Sequence, residues 1–296
     1  MNKVYVLPAN EDWIVDRFVK EWNEDNHDIT SSINDADVIW LLASWCWNGI
    51  PLSILEKKKV LATIHHIVPD KFNREKLEEF LIRDKFVTAY HVYNQETYNF
   101  VEKITNKPIH LIDYWANQKI WKLTGEKKEI RKKYRLPEDK FLVGSFQRDT
   151  EGSDLKTPKL EKGPDLLVEF LQKIRDRNLH VVLAGWRRQY VICRLEELRI
   201  QYSYFEKPDQ ATINDLYQTL DLYPVTSRCE GGPQSLIECG LLGVNVVSRD
   251  IGIAKKVLKE RAINNDVSLA SPEIPNVDLW KIPAGYSHYR NLIESL

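Results

Sequence analysis

Two glutamates, Glu230 and Glu238, bracket a run in which a glycine pair, a proline and a helical pattern follow one another. Residues 227–254 read SRCEGGPQSLIECGLLGVNVVSRDIGIA. Gly231 and Gly232 carry no Cβ, so a ligand can approach the backbone closely there. Pro233 suits a first helical position, where its missing N–H would have no partner. Leu236, Ile237, Leu241 and Leu242 then form an apolar stripe at helical spacing, and Gly243 closes the helix. The free N–H groups of the first turn, around Gln234 and Ser235, sit at the positive end of the helix dipole and suit a phosphate. A carboxylate repels phosphate, but it accepts hydrogen bonds from hydroxyls such as those of a sugar or a ribose. Phosphate in the middle with polyol on either side describes a nucleotide sugar.

The elements that must hold this stretch alternate between strand and helix. Apolar runs at residues 4–7, 36–43, 60–64, 86–93 and 109–112 read as strands. Helical patterns follow at 13–22 and 94–104; Asn10 or Asp12 is placed to cap the first and Asn94 the second. The charged segment 126–135 reads as an exposed helix leading to Leu136-Pro137, where the domain boundary is expected. Strands at 141–146 and 180–184 and helices over 166–174, near Leu195–Leu198 and over 213–220 then lead back to the glutamates. A helix is expected from Ala254 to about Glu260, and another over residues 287–296. The pattern predicts two doubly wound α/β domains with a cleft between them, residues 1–137 and 138–285, and a terminal helix or tail at 286–296.

Ligands in open α/β sheets bind at strand carboxyl ends. Trp45 and Trp47 stand in such a loop, where they either stack on a sugar ring or fill the domain's core. His65 and His66 end the third strand. Lys57-Lys58-Lys59 reads as a solvated helix end.

Composition narrows the classes. A formal net charge of -1 argues against a polyanion-binding surface, nucleic acid included, covering the whole protein, and leaves room for a local basic patch. The four cysteines show no Cys-x-x-Cys spacing, no signal-like segment opens the chain, and no apolar run reaches transmembrane length. A cytoplasmic protein is expected, with room for peripheral membrane contact. No Gly-x-Gly-x-x-Gly follows the first strand, which argues against a dehydrogenase.

Glu230 and Glu238, with the intervening wording EGGPQSLIECGLLGVNVVS, resemble the Glu-x7-Glu signature of retaining GT-B glycosyltransferases, family 4 (glycosyl transferases group 1). The resemblance covers most of the second half and only loosely the first. It implies the GT-B fold, two Rossmann-like domains facing each other across a cleft. It also implies a second pair of elements: Arg148 after the 141–146 strand, and Lys162-Gly163 opening a helix, where the family's two cations hold the donor diphosphate. A leaving nucleoside diphosphate gains negative charge in the transition state, so fixed cations there agree with the chemistry. Thr63-Ile64-His65 matches the family's Thr-x-His wording and implies that His65 touches the donor sugar or phosphate.

The implied activity is metal-independent transfer of a sugar from a nucleotide diphosphate donor, UDP- or GDP-linked, to a carbohydrate or lipid-linked acceptor hydroxyl. Glu238 would hold the ribose, Arg148 and Lys162 the diphosphate, and Glu230 with the backbone from Gly232 through Pro233 and Gln234 to Ser235 the sugar. Asn10, Trp45 and His66 are acceptor-side candidates. No metal or organic cofactor is expected. A nucleotide-sugar-binding module without transfer activity and a GT-B sugar-nucleotide epimerase are the alternatives.

Overall fold

The computed structural model describes residues 2–11, 14–174 and 178–296, so the expected helix start at Asp12 and Trp13 lies outside the described residues. The chain divides into two compact units, residues 1–115 with 279–296, and residues 116–278.

The first unit is built on five parallel strands in the order β1 (Val4–Val6), β2 (Val38–Leu41), β3 (Lys59–Ile64), β4 (Ala89–Val92) and β5 (Ile109–Leu111). This order looks singly wound, but one further pairing reverses it. Val4 bridges Ile29 in parallel, with Val4 N–H donating to Asp28 O at 2.7 Å and Thr30 N–H to Val4 O at 3.0 Å. From β1 the chain therefore runs through α1 (Ile14–Asp25) to the outer edge, then returns past β1 to β2. The strand order reverses at β1, the kind of switch point at whose carboxyl edge ligands bind in open α/β sheets.

Register separates the two faces. Trp40, Leu61 and Ala89 are aligned neighbours on one face, and Leu41, Ala62 and Tyr90 on the other. Trp40 meets Trp22 of α1 and Tyr289 of the last helix, α11 (Ser287–Ser295), at ring separations of 5.0 and 5.4 Å. Its indole N–H donates to Thr63 Oγ1, which keeps a buried polar atom paired. The opposite face packs Ile39, Leu41 and Tyr90 against Phe80 of α3 (Arg74–Asp84) and Val101 of α4 (Gln95–Val101), whose cap is Asn94 as expected. The helix α3 was not anticipated, because only Phe80 and Arg83 of its eleven residues are buried and the apolar period is faint.

The second unit orders its strands β8 (Tyr202–Glu206), β7 (Leu179–Gly185), β6 (Phe141–Ser145), then β9 (Tyr223–Val225) and β10 (Val246–Ser248). A parallel bridge from Val143 to Leu222 joins the two ladders, with Gly144 N–H donating to Leu222 O at 3.0 Å. Sequence direction reverses between β6 and β9, as in a doubly wound sheet. Val143, Leu183 and Val247 meet Leu167, Phe170 and Leu171 of α6 (Pro164–Lys173) in the core.

The charged segment forms α5 (Lys127–Lys133) inside this unit, and it is not simply exposed. Arg131 is buried, donating to Thr219 O twice and to Asp221 Oδ2 at 2.7 Å, while Lys133 reaches Asp215 at 2.6 Å. These bonds hold α5 to α8 (Gln210–Gln218) and to the approach to β9, so Leu136-Pro137 lies within the second unit. Among the described residues no helix is long and apolar enough to cross a membrane.

Candidate active site

At the reversal between β6 and β9, the loop carrying Gln147 and Arg148 adjoins the one carrying residues 226–233. Lys162 ends a short 3-10 turn (Leu160–Lys162), and Gly163 follows in the left-handed region at φ 62° before Pro164 opens α6. The turn is fastened to the end of β9 through several bonds. Arg228 and Cys229 N–H groups donate to Glu161 O at 2.8 and 3.1 Å, and Thr226 Oγ1 donates to Gly163 O at 3.0 Å. A Cβ on Gly163 would lie 2.0 Å from Thr226 O, so only glycine permits this approach.

This docking brings the Lys162 ammonium to 2.5 Å from Glu230 Oε1, with both side chains mostly covered. The Ser227 hydroxyl lies 3.0 Å from the same oxygen and 3.2 Å from Gln147 Oε1, so it donates to one or the other. Gln147 Nε2 in turn donates to Lys162 O at 2.8 Å. Ser227 and Gln147 were missed by the sequence reading, since nothing in their type or spacing distinguishes them from surface residues.

The Gly-Gly-Pro turn leads into α9 (Gln234–Leu242). Pro233 is the residue before the helix (φ -58°, ψ 115°) rather than its first member, which corrects the expected register by one. Gly231, Gly232 and Pro233 are buried, Gln234 and Ser235 half-buried. Gly252 braces the turn from the loop after β10: at φ 55°, a Cβ there would meet Gly231 O at 3.0 Å and Pro233 Cδ at 3.2 Å. Glu238 is buried and accepts from the Tyr217 hydroxyl at 2.7 Å. Tyr217 packs on Phe146 at 4.6 Å, and Phe146 N–H donates to Tyr223 OH, so Glu238 is tied back to the end of β6.

Arg148 sits differently from Lys162. Its Nε donates to Thr150 O at 2.8 Å, and its guanidinium lies 5.8 Å from the half-exposed Trp186 ring, which Arg187 and Lys207 also approach at 5.1 and 5.0 Å. Burial, with Arg187 beside it, lowers the Arg148 pKa. The side chain bonded to the Lys162 turn is that of its neighbour, Gln147. Beneath them Arg188, fully buried, pairs with Asp149 at 2.8 Å and donates to Ala184 O and Ser145 Oγ, locking the carboxyl ends of β6 and β7 together. In the sequence Trp186-Arg187-Arg188 looks like a solvated basic run, which hides this role.

In the first unit, the loops after β1, β2 and β3 come together. Asp16 accepts from the N–H groups of Ala9, Asn10 and Glu11 at 2.7 to 2.9 Å, so Asp16, not Asn10, organises the first loop. Asn10 is exposed, in a left-handed conformation at φ 57°. Trp45 Nε1 donates to Glu11 Oε1 at 3.1 Å, and its ring is 43% exposed, whereas Trp47 packs on Phe86 in the core. His65 lies between Trp45 and Tyr93, with Nε2 2.9 Å from Leu42 O. A carbonyl can only accept, so Nε2 carries the proton and Nδ1 is left as an acceptor. Burial pulls the His65 pKa down to about 4, keeping the ring neutral near pH 7. His66, next in sequence, is half-buried.

Two doubly wound units with parallel sheets and loops gathered at strand carboxyl ends define the GT-B fold of glycosyltransferases. Residues 126–272, just under half of the chain, match the sequence model of the family described as glycosyl transferases group 1. Among solved structures, the fold is similar to that of Anabaena HepE in complex with UDP and glucose, at a TM-score of 0.62 and 15% identity over 83% of this chain and 65% of that one. Sucrose-phosphate synthase from Thermosynechococcus elongatus gives 0.61 and 15%, covering 84% and 63%. Staphylococcus aureus TarM, solved as a mutant with Fondaparinux, alpha-GlcNAc-glycerol and UDP, gives 0.53 and 14%, covering 83% and 47%. The chain thus spans less than two thirds of the length of these three relatives. No curated protein matches in sequence.

Proposed function

We propose that this protein is a retaining glycosyltransferase that moves a sugar from a uridine diphosphate sugar to an acceptor hydroxyl. The observation that carries this reading is the Lys162–Glu230 pair at 2.5 Å, built where β6 and β9 diverge and beside the turn into α9. A cation, a carboxylate and a helix amino terminus side by side suit a phosphate joined to a polyol. Uridine is preferred to guanosine because HepE was solved with UDP and with UDP-glucose.

In this proposal Lys162 and Arg148 offset charge on the leaving diphosphate, together with the N–H groups at the start of α9. Glu230 and the backbone of residues 232–235 accept and donate to the sugar hydroxyls, and Glu238 accepts from the ribose. Gln147 positions the Lys162 turn. The bond between the anomeric carbon and the β-phosphate oxygen breaks while the acceptor oxygen bonds to that carbon from the same face. The acceptor proton passes to the departing phosphate oxygen, so no side-chain nucleophile is required. The loops of the first unit receive a carbohydrate or lipid-linked acceptor, with Trp45 offering an indole face and Asn10 and His66 alongside, while His65 Nδ1 accepts from a hydroxyl of the donor sugar.

The test is incubation with UDP-sugars and a panel of glycan and lipid acceptors, with the product linkage read by NMR. An axial linkage from an axial donor supports the proposal. An inverted linkage, or donor consumption that needs no acceptor, rules it out.

A further inference from the structure

A second basic site lies at the opposite, amino-terminal edge of the first unit's sheet. A cavity of about 770 Å³ opens where the chain enters β2, β3 and β4, and five lysines line it: Lys57, Lys58, Lys59, Lys85 and Lys107. Two acidic side chains, Asp37 and Glu56, share the lining, and so does Leu296, the last described residue, with its main-chain carboxylate. Lys58 is already committed, its ammonium donating to Asn34 O and Ala36 O at 2.8 and 2.6 Å. Asp37 is committed too, accepting from the Lys3 N–H at 2.8 Å. Among the described residues, the side-chain ammonium groups of Lys57, Lys59, Lys85 and Lys107 have no hydrogen-bond or ion-pair partner.

The reading of Lys57-Lys58-Lys59 as a solvated helix end does not account for this arrangement, because Lys85 and Lys107 come from two other loops to the same concavity. Ammonium groups gathered in one concavity repel each other, and a concave wall focuses their field. Each offers only donors, so the complementary ligand is a compact, multiply charged acceptor. We propose that this cavity binds a phosphate-bearing anion, either a soluble polyphosphorylated compound or the headgroup of an anionic lipid. The site is separate from the candidate transfer site, whose loops all lie at strand carboxyl ends, and it stands or falls independently of the proposed activity.

Calorimetric titration of inorganic tripolyphosphate into the full chain at low salt tests it, alongside a variant carrying Lys57→Gln, Lys59→Gln, Lys85→Gln and Lys107→Gln that unfolds at the wild-type temperature. Saturable binding is expected, weakened at least about tenfold in the variant and by added salt, and retained in Lys162→Ala. Cosedimentation with phosphatidylcholine vesicles, with and without phosphatidylglycerol, separates the sources. Wild-type pelleting only with phosphatidylglycerol, lost in the variant, assigns the lipid headgroup, whereas tripolyphosphate binding without pelleting assigns a soluble ligand. Equal tripolyphosphate binding by wild type and variant, or binding of neither probe, overturns the proposal.

Discussion

The Lys162 ammonium rests 2.5 Å from Glu230 Oε1, and residues 68 positions apart in the chain are held in that contact by backbone bonds on both sides. The pair is therefore assembled before a donor arrives. Preorganised charge of this kind acts without reorganisation when the leaving group forms. Lys162→Ala should lower transfer turnover by about 10²–10³-fold, the usual cost of removing one charge-stabilising donor. Initial rates with saturating UDP-sugar measure it, and turnover within twofold of wild type would remove Lys162 from the chemistry.

Gly163 sets the geometry of that pair. Gly163→Ala adds a Cβ 2.0 Å from Thr226 O in a left-handed conformation, so the turn must shift. A loss of about 2 kcal/mol or more is expected, together with reduced donor binding. Thermal unfolding should show a fall of several degrees. An unchanged midpoint would mean that the turn is not fastened to β9 as described.

Tyr217→Phe removes the hydroxyl that donates to the buried Glu238 carboxylate at 2.7 Å. Leaving that acceptor short of a partner should cost about 1–3 kcal/mol. Glu238→Gln, which keeps an acceptor for Tyr217, should cost less stability while weakening uridine nucleotide binding. Denaturant midpoints and nucleotide titrations of the two variants separate the effects. Equal stability losses with unchanged nucleotide affinity would make Glu238 purely structural.

Stability should fall in mild acid. Burial lowers the pKa values of His65 and His180 to about 4 and of His91 to about 3, against about 6.5 in an unfolded chain. Between those values the unfolded state binds protons that the native state refuses, so the contribution is complete above about pH 6.5 and is lost as pH falls toward the native values. The urea midpoint should be lower at about pH 5 than at pH 7.5, and His65→Gln should narrow the difference. Equal wild-type midpoints at the two pH values would contradict neutral burial of these rings.

The strands β1 to β7 and the stretch from Glu230 to Gly243 were legible because apolar runs and a glycine-bounded helix have local causes, whereas β8 (Tyr202–Glu206), only half-buried, was not read as a strand. Asn94 was recognisable as a cap for the same reason. What escaped detection depends on distant contacts. Arg131 and Arg188 sit in charged runs that suggest solvent, yet carbonyls and acids brought by other elements bury them. Gln147 and Ser227 acquire their roles only when the β6 and β9 loops meet. Ile29 joins the sheet through one isolated bridge to Val4, and that bridge decides where the first sheet reverses. Arg148 and Lys162 were expected to hold one diphosphate; what the sequence does not show is that Arg148 lies beside Trp186 and that Gln147 bonds to the Lys162 turn.

Calorimetric titration of UDP into the wild type and into Lys162→Ala tests the central claim most directly. The account predicts saturable binding at one site in the wild type, weakened at least about tenfold by loss of a single charge-assisted contact. The same dissociation constant in both proteins, or no binding to the wild type, would contradict it.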